Sequence, residues 1–403
     1  MRLSADRRTL IVLSFALVVV TLGYGIVIPV FPFVIERLGG SGRDLGILVA
    51  LAALTELLFA PIWGGISDRV GRKRILMVGI AGYGLSLLGM GLARRMWVLI
   101  ATRALSGVLT AATMPTAMAY VGDSTSDEER GGGIGSLGAA SGLGIILGPG
   151  VGGWLGGTSL SLPFFAGAAL ALVALGLILV LLPESLPKAN GAPSVAAESA
   201  AKPKGQARHN LWRVFTGPAG FPLLLLFVAS LGLANFEAVF SFYAAVKFGY
   251  GPERVGTILV VIGVVTTVGK GLLTGPVTKR WGDSVVVTGS MIAGAVGYLV
   301  LLAAYDYVTV LLATGLFILS KTVLRPALLS LISKRSSGGL GASMGVGNTV
   351  VSLGRVIGPI WAGFAFDLDP RYPYLSGAVV LFVGFMLSLL GASARNTPER
   401  QGV

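Results

Sequence analysis

The 403-residue sequence contains no cysteine, one histidine and few charged residues. The lack of cysteine excludes disulfides and thiolate chemistry. The single histidine, His209, lies in a polar stretch. A histidine metal site or a Ser-His-Asp triad within the apolar segments is therefore excluded. Charged residues make up 12% of the chain and apolar residues 54%. This is about half the charge of a typical soluble chain, which would be too little to cover its surface in water.

The composition indicates an all-α integral membrane protein. Mean hydropathy is +0.83, which makes disorder or nucleic-acid binding poor explanations of the net charge of +13. A membrane-spanning helix needs about 20 mainly apolar residues. The sequence predicts twelve such spans, at 10–35, 44–66, 74–93, 97–121, 132–157, 161–182, 219–246, 254–278, 284–304, 307–331, 340–366 and 374–393.

The basic residues of the loops predict the orientation of the chain. Placing both termini in the cytoplasm leaves 19 loop Lys and Arg residues inside and 7 outside, as the positive-inside rule favours. The polar stretch from Pro183 to Asn210 has the composition of a flexible linker. We therefore predict an N-terminal six-helix bundle at 1–182, a cytoplasmic linker at 183–218 and a C-terminal six-helix bundle at 219–403.

An internal repeat relates the two halves. Four residues of span 5 recur 210 positions later in span 11: Gly144, Gly148, Pro149 and Gly153 become Gly354, Gly358, Pro359 and Gly363. In the loop after span 2, Gly64 and Gly71 recur 211 positions later as Gly275 and Gly282. Each half contains six spans, an even number, so both halves enter the membrane in the same direction. Parallel repeats of this kind are typical of transporters that bind substrate near the membrane midplane.

Three motifs carry a family resemblance. The loop after span 2 contains Gly64, Asp68, Arg69, Gly71 and Arg72 in the pattern G-x-x-x-D-R-x-G-R-K. Span 4 contains Arg103-x-x-x-Gly107, a partial match to R-x-x-Q-G because Ser106 replaces the glutamine. Span 5 contains the glycine-proline motif formed by Gly144, Gly148, Pro149, Gly152 and Gly153. Over nearly its whole length, the chain resembles the twelve-helix drug:proton antiporters of the major facilitator superfamily.

The resemblance implies a bacterial plasma-membrane transporter that exports small lipophilic or amphipathic compounds by alternating access. A proton gradient would supply the energy, with no cofactor, and the partners would be the substrate, protons and membrane lipids, with no nucleic acid. The sequence has no G-x-x-x-x-G-K-[ST] loop for ATP hydrolysis. We therefore expect a carrier, not an enzyme, that acts as a monomer. Two alternatives are an exporter or flippase of an anionic metabolite or lipid, and a transporter-like sensor or structural protein.

The loop motif suggests a gate. We expect Asp68 to bind the N-terminus of a neighbouring helix and Arg72 to pair with an acid such as Asp123. These bonds would hold the cytoplasmic side closed. A simple topology anchor would explain the basic residues, but it would explain neither Asp68 nor Gly71. In span 5 the glycines predict close helix packing that also governs movement of the halves.

Charges within spans are costly and by default indicate function. Seven lie clearly within the predicted spans: Glu56, Arg103, Glu237, Lys270, Lys321, Arg325 and Arg355. Their net charge is +3. Because no histidine lies in a span, Glu56 and Glu237 are the candidate proton-coupling residues. The alternative is that each pairs permanently with a base, for example Glu56 with Arg103.

Lys321 and Arg325 are four residues apart and share a helical face. With Lys270 and Arg355 they predict a basic cavity in the C-terminal half that binds an anionic or amphipathic molecule. The alternative is that some of these bases reach the membrane interface. Apolar walls are also expected for lipophilic compounds. The full set of predicted cavity residues is Tyr24, Arg103, Asn235, Phe236, Phe240, Lys270, Lys321, Arg325, Asn348 and Arg355.

Overall fold

The computed structural model describes residues 5–125, 127–185, 216–336 and 340–393, and every regular element in these ranges is an α-helix. Most of the predicted linker falls on 186–215, outside the described residues. The helices are α1 (Ala5–Val27), α2 (Phe31–Arg37), α3 (Gly42–Val70), α4 (Arg72–Gly91), α5 (Met96–Thr110), α6 (Thr113–Ser124), α7 (Asp127–Thr158), α8 (Leu162–Leu181), α9 (Gly220–Phe248), α10 (Pro252–Leu272), α11 (Thr274–Ala303), α12 (Tyr307–Lys334), α13 (Leu340–Leu368) and α14 (Tyr372–Ser393).

Twelve helical segments of the described chain are long and apolar enough to cross a membrane. Helices satisfy all backbone hydrogen bonds internally, so they can cross a hydrocarbon layer that offers no partners. The predicted all-α fold with twelve spans is confirmed. Two predicted spans are interrupted. Span 1 consists of α1 and the short α2, because proline at 29 and 32 breaks the helix. Span 4 consists of α5 and α6 with a break at Ala111–Ala112.

The boundary between spans 8 and 9 differs from the prediction. Span 8 was predicted to reach residue 278, but α10 ends at Leu272 and α11 already begins at Thr274. The first turns of α11 end in a kink at Gly282, whose φ is 75°. Gly71, between α3 and α4, also has a positive φ, of 116°. Both turns need glycine, because a side chain is strained at these backbone angles.

The described chain divides into two compact units. One contains the described residues of 1–202 together with Ser241–Gly263, and the other contains those of 203–240 and 264–403. In the first unit α1 packs on α7 and α8, α4 packs on α8 and α5, and α3 packs on α5. In the second unit α11 packs on α12 and α14, and α13 packs on α12 and α14. A buried aliphatic core joins α9, α11, α12 and α13.

The repeat is visible in how equivalent helices pack. In the first unit a Cβ added at Gly148 of α7 would lie 2.5 Å from the carbonyl oxygen of Leu22 on α1. In the second unit a Cβ at Gly358 of α13 would lie 2.5 Å from the Cβ of Ala234 on α9. The two glycines are 210 residues apart, and each lets a helix approach its partner closely. The offset in the sequence therefore corresponds to the same packing in both units.

Candidate functional site

The loop motif between α3 and α4 forms a buried charge network around Arg72, whose side chain is only 3% exposed. Its Nε donates to Asp123 Oδ2 on α6 at 3.0 Å, and one terminal nitrogen donates to Ser67 Oγ at 2.6 Å. The same nitrogen lies 2.5 Å from Asp68 Oδ1. The predicted pairing of Arg72 with Asp123 is confirmed. The expectation for Asp68 needs correction. It forms an ion pair with Arg72, four residues on, and within the described chain it binds no helix N-terminus.

The carboxylate at the N-terminus of α4 belongs to Glu184, which follows the last span of the first half. The backbone N–H of Lys73 donates to Glu184 Oε1 at 3.2 Å. Lys73 Nζ donates to the carbonyl of Leu179 at 2.9 Å. A Cβ added at Gly71 would lie 2.5 Å from Glu184 Oε2. Gly71 therefore provides both the positive φ and the space for an anion at the positive end of the helix dipole. Arg69, by contrast, is exposed. A Cβ added at Gly64 would meet nothing within 4 Å.

The second unit contains an equivalent pair with opposite charges. Asp283, directly after the kink at Gly282, is 7% exposed. Lys334 Nζ at the end of α12 donates to Asp283 Oδ2 at 2.6 Å, and Ser330 Oγ donates to the same oxygen at 2.7 Å. Asp283 and Lys334 lie 211 residues after Arg72 and Asp123. The repeat therefore preserves the ion pair and reverses its sign.

The glycine motif gives α7 two closely packed faces. A Cβ added at Gly144 would lie 2.6 Å from the carbonyl oxygen of Val18, and one at Gly152 would lie 2.7 Å from the Cα of Ile26. Val18 and Ile26 are both on α1. A Cβ at Gly153 would lie 2.9 Å from the Cα of Gly256 on α10. Pro149 lies inside the helix between these positions, and its Cδ would be 2.8 Å from a Cβ at Gly25. The motif thus excludes side chains from both faces, as close packing requires.

Arg103 on α5 is a buried cation enclosed by aromatic rings. Its guanidinium carbon lies 5.3 Å from the ring centroid of Tyr24 and 5.1 Å from that of Phe31. The side chain is 4% exposed, and its Nε has no hydrogen-bond partner in the described chain. Within the described residues Arg103 forms no ion pair with Glu56, the example suggested by the sequence. Glu56 lies in the middle third of α3, and its side chain is exposed.

Glu237, in the middle third of α9, forms an ion pair with Lys321 of α12. The exposed fraction of the side chain is 53% for Glu237 and 24% for Lys321. The pair thus lies at mid-helix and remains accessible from outside the packed core. If Glu237 pairs permanently with a base, that base is Lys321. Because both side chains are partly exposed, another charged group could also reach the pair.

Three more bases of the second unit are electrostatically coupled to this pair. With Lys321 they are called the basic cluster: Lys270, Lys321, Arg325 and Arg355. A Cβ added at Gly269 of α10 would lie 3.1 Å from Thr322 Cγ2 of α12, so the neighbouring Lys270 and Lys321 lie on adjacent helices. The charges of Lys321 and Arg325 act on Lys270. Arg325 and Arg355 act on the carboxylate of Glu237. Lys270, Arg325 and Arg355 are all exposed.

The aromatic residues predicted to line a cavity are packed instead. Phe236 is 2% and Phe240 1% exposed, and their ring centroids are 4.7 Å apart. Phe236 also contacts Phe317 at 4.9 Å. Asn235 is 1% exposed, and its amide donates to Ser376 Oγ at 3.5 Å. These three residues are therefore packed inside the second unit, and Phe240, three residues after Glu237, lies beside it on α9.

The remaining polar residue of the predicted cavity is Asn348 on α13. It is exposed and lies seven residues before Arg355. Seven residues make about two helical turns, so both side chains lie on one face of α13. Tyr24, on α1, is 36% exposed and contacts Arg103 within the first unit.

Two contacts of charged residues were not foreseen from the sequence: Glu184 with the N-terminus of α4, and Lys334 with Asp283. Glu184 was placed at the start of the linker, and Lys334 was counted as a loop charge. The signal for Glu184 is an acid directly after a span that packs on α4. The signal for Lys334 is the offset of 211, which aligns it with Asp123 and aligns Asp283 with Arg72.

The described chain thus has twelve helical segments of membrane length in two related halves, each with an ion pair at the equivalent position, as expected of a membrane transporter. The family model of the Major Facilitator Superfamily matches residues 13–320 and 222–402. The chain belongs to this superfamily, and it is a multi-pass membrane protein. The expected family is confirmed.

Curated relatives match nearly the whole chain. Multidrug resistance protein 2 of Bacillus subtilis is 32% identical over 98% of this chain and 98% of its own length. The quinolone resistance protein NorA of Staphylococcus aureus is 27% identical over 98% of this chain and 100% of its own length.

Solved structures support the fold alone. The nucleoside transporter NupG superposes with a TM-score of 0.76 at 15% identity, covering 97% of this chain and 98% of NupG. A bacterial homologue of the human lysosomal transporter Spinster, in an inward-facing occupied conformation, has a TM-score of 0.74 at 14% identity. That match covers 98% of each chain.

Proposed function

We propose that this protein is a proton-coupled secondary transporter that exports small lipophilic or amphipathic compounds by alternating access. Its full-length relatives carry names of multidrug and quinolone resistance. The structural observation that carries the proposal is the Asp68–Arg72–Asp123 network. It joins the ends of α3, α4 and α6 through few bonds around one buried cation. Such a network gives a transporter a discrete contact to make and break between states.

Glu237 and Glu56 are the proposed proton-coupling residues. Each is an exposed carboxylate in the middle third of a membrane-spanning helix. A carboxylate in that position can gain and lose a proton as its surroundings change. Lys321 supports this role for Glu237, because a base that holds the ionised form must be released when the proton binds.

The orientation and organisation follow from the sequence pattern. We propose that both termini lie in the cytoplasm, that six spans lie in each of 1–182 and 219–403, and that the protein works as a monomer. The excess of Lys and Arg on one set of loops supports the orientation. It would place Asp68, Arg72 and Asp123 on the cytoplasmic side.

Proteoliposomes loaded with rhodamine 6G test the function. An imposed proton gradient should drive dye transport, and collapse of the gradient with a protonophore should stop it. Glu237→Gln should abolish the gradient-driven component, while Lys279→Gln, at an exposed position in the first turns of α11, should keep it. Transport that proceeds equally without a gradient, or that is unchanged in both Glu237→Gln and Glu56→Gln, would contradict proton coupling.

A further inference from the structure

We propose that Trp63 is a positioning residue: its indole holds the end of α5, and with it Arg103, in place while α6 moves. The inference rests on the proposed alternating access, because α6 would move when the charge network around Arg72 opens. Trp63 lies on α3, just before the loop motif and outside the predicted cavity. All the residues concerned belong to the first unit.

The break in span 4 leaves one backbone carbonyl without its usual donor. The N–H of Ala112 donates to the carbonyl of Leu109, three residues back, at 3.2 Å. In a regular α-helix it would donate to Val108, four residues back. The carbonyl of Val108 instead accepts a hydrogen bond from Trp63 Nε1 at 2.7 Å. A side chain of α3 thus replaces the missing bond, which a carbonyl inside a membrane span needs.

Close packing supports this bond on the same side of the break. A Cβ added at Gly107, next to Val108, would lie 2.8 Å from the carbonyl oxygen of Ala52 on α3. Gly107 therefore lets the end of α5 lie directly against α3. The hydrogen bond and the packing together attach the end of α5 to a single helix.

The start of α6, on the other side of the break, is held differently. Thr113 and Thr116 lie in the first turn of α6, and both side chains are buried. Their hydroxyls have no hydrogen-bond partner in the part of the chain that the structure describes. These side chains thus add packing without a directional bond. Turning α6 at the break would therefore cost less than moving α5, which would have to break the bond from Trp63.

The far end of α6 is attached to the charge network. Asp123 accepts from Arg72 at 3.0 Å, and Arg72 donates to Ser67 of α3 at 2.6 Å. Tyr120, one turn before Asp123, donates to the carbonyl of Pro183 at 2.7 Å. Opening of the network would detach this end of α6 from α3. The break is then the point about which α6 turns.

Arg103 is the group that a fixed α5 keeps in place. It lies five residues before Val108, and its guanidinium carbon is 5.3 Å from the ring centroid of Tyr24 and 5.1 Å from that of Phe31. Since its Nε has no hydrogen-bond partner in the described chain, the buried cation depends on these ring contacts. A shift of α5 would lose them.

The test uses single introduced cysteines, because the chain contains none of its own. Ser106→Cys reports on α5 and Thr113→Cys on the start of α6, and both positions are buried. Asp123→Ala opens the network in the purified full-length protein, and alkylation by N-ethylmaleimide is followed. Opening should speed alkylation of Thr113→Cys about tenfold, as expected when a hydrogen-bonded contact that holds a local structure is lost. Alkylation of Ser106→Cys should not change.

Trp63→Phe keeps an aromatic ring and removes the N–H donor. Combined with Asp123→Ala it should let the movement reach α5, so that alkylation of Ser106→Cys also rises about tenfold. With the network intact, Trp63→Phe should change this rate little. Trp97→Phe, in the first turn of α5 at a side chain that is 63% exposed, is the matched control and should change neither thiol.

Two results of the thiol experiment would overturn the inference. One is that Ser106→Cys reacts as fast as Thr113→Cys once the network is opened with Trp63 present. The other is that Trp63→Phe speeds both thiols equally with the network intact and opened, since a residue that only stabilises the bundle would act in this way.

A second measurement does not require Trp63→Phe to fold. In a variant whose five other tryptophans are replaced by phenylalanine, ultraviolet resonance Raman spectra report whether the indole N–H of Trp63 donates a hydrogen bond. The bond should be present with the network intact and should persist in Asp123→Ala. Loss of the bond on opening would contradict the role of Trp63 as the fixed point.

Neither measurement needs a transported compound, so the inference and the export function can fail separately. Proteoliposomes that export rhodamine 6G, together with thiols that respond alike on both sides of the break, would refute only the inference. The expected thiol pattern in a protein that exports nothing would refute only the export function.

Discussion

Lys334 and Asp283 form an ion pair 2.6 Å long in the second unit, at the positions equivalent to Asp123 and Arg72 of the first. The charges are reversed, while the glycine before each buried residue, Gly71 or Gly282, keeps a positive φ. An ion pair is thus retained at the equivalent positions, although the acid and the base have exchanged places. This indicates that each pair serves to hold two helix ends together, which either polarity can do.

The reversed pair predicts that charges can be exchanged in the second unit. Asp283→Lys or Lys334→Asp alone should lower the melting temperature in detergent, since each places like charges together. The double exchange should recover most of the loss. Because Lys334 is 69% exposed, we expect a coupling free energy of about 1 kcal/mol. A double variant that melts no higher than the poorer single variant would contradict this interpretation.

Gly71 should tolerate alanine less well than Gly282. Both have a positive φ, but only at Gly71 would the new Cβ also meet a neighbour, Glu184, while nothing lies within 4 Å at Gly282. We expect a loss of about 1–3 kcal/mol for Gly71→Ala and a smaller loss for Gly282→Ala. Gly65→Ala, at an open helical position of α3, is the control and should cause no loss, since alanine is favoured over glycine in a helix. Thermal melting in detergent ranks the three variants. Equal losses at Gly71 and Gly282 would show that Glu184 is irrelevant there.

The close packing of α7 predicts a strong contrast along one helix. Gly148→Ala would place a methyl group 2.5 Å from the Leu22 carbonyl oxygen and should prevent normal packing on α1. Gly142→Ala adds the same methyl group where nothing lies within 4 Å, and alanine is favoured in a helix by about 1 kcal/mol. Size-exclusion profiles and melting curves should show damage only for Gly148→Ala. Similar behaviour of the two variants would refute the packing role of the motif.

Asp306 at the start of α12 should contribute stability that depends on pH. The Thr309 hydroxyl and backbone N–H donate to its carboxylate at 2.6 and 2.7 Å and hold the pKa of Asp306 below its ordinary value. A lowered folded-state pKa means that the contribution is complete above the unfolded-state pKa, about 3.9. It is lost as pH falls through the folded-state pKa.

Melting curves of Asp306→Ala and wild type should therefore differ most near neutral pH and converge in acid. Asp306→Asn keeps a capping oxygen without a titrating group. Its difference from Asp306→Ala should not change with pH. A wild-type advantage over Asp306→Ala that is the same in acid as at neutral pH would rule out the charged cap.

The pattern of apolar runs was sufficient to predict twelve helices, because the length of a span follows from the thickness of the membrane. It did not predict the end of α10 at Leu272. The apolar composition continues beyond that residue, while the backbone turns at Leu273 and again at Gly282. Hydropathy reports which residues can be buried in lipid, and it does not report where the backbone turns. Two helices joined by a turn can have the same average hydropathy as one continuous helix.

The sequence by itself determined the family, the twelve spans, the glycine stripe of α7 and the pairing of Arg72 with Asp123. The first three depend on local spacing or on motifs whose residues are close in the chain or repeated within it. The pairing of Arg72 with Asp123, 51 residues away, was expected from the loop motif. Tertiary structure decided the partners of Glu237, Asp283 and the α4 N-terminus, and it buried Phe236 and Phe240. A helix presents every side chain at a known angle about its own axis. Which side chain of another helix lies opposite depends on how the two helices pack, and the sequence of one helix does not contain that information.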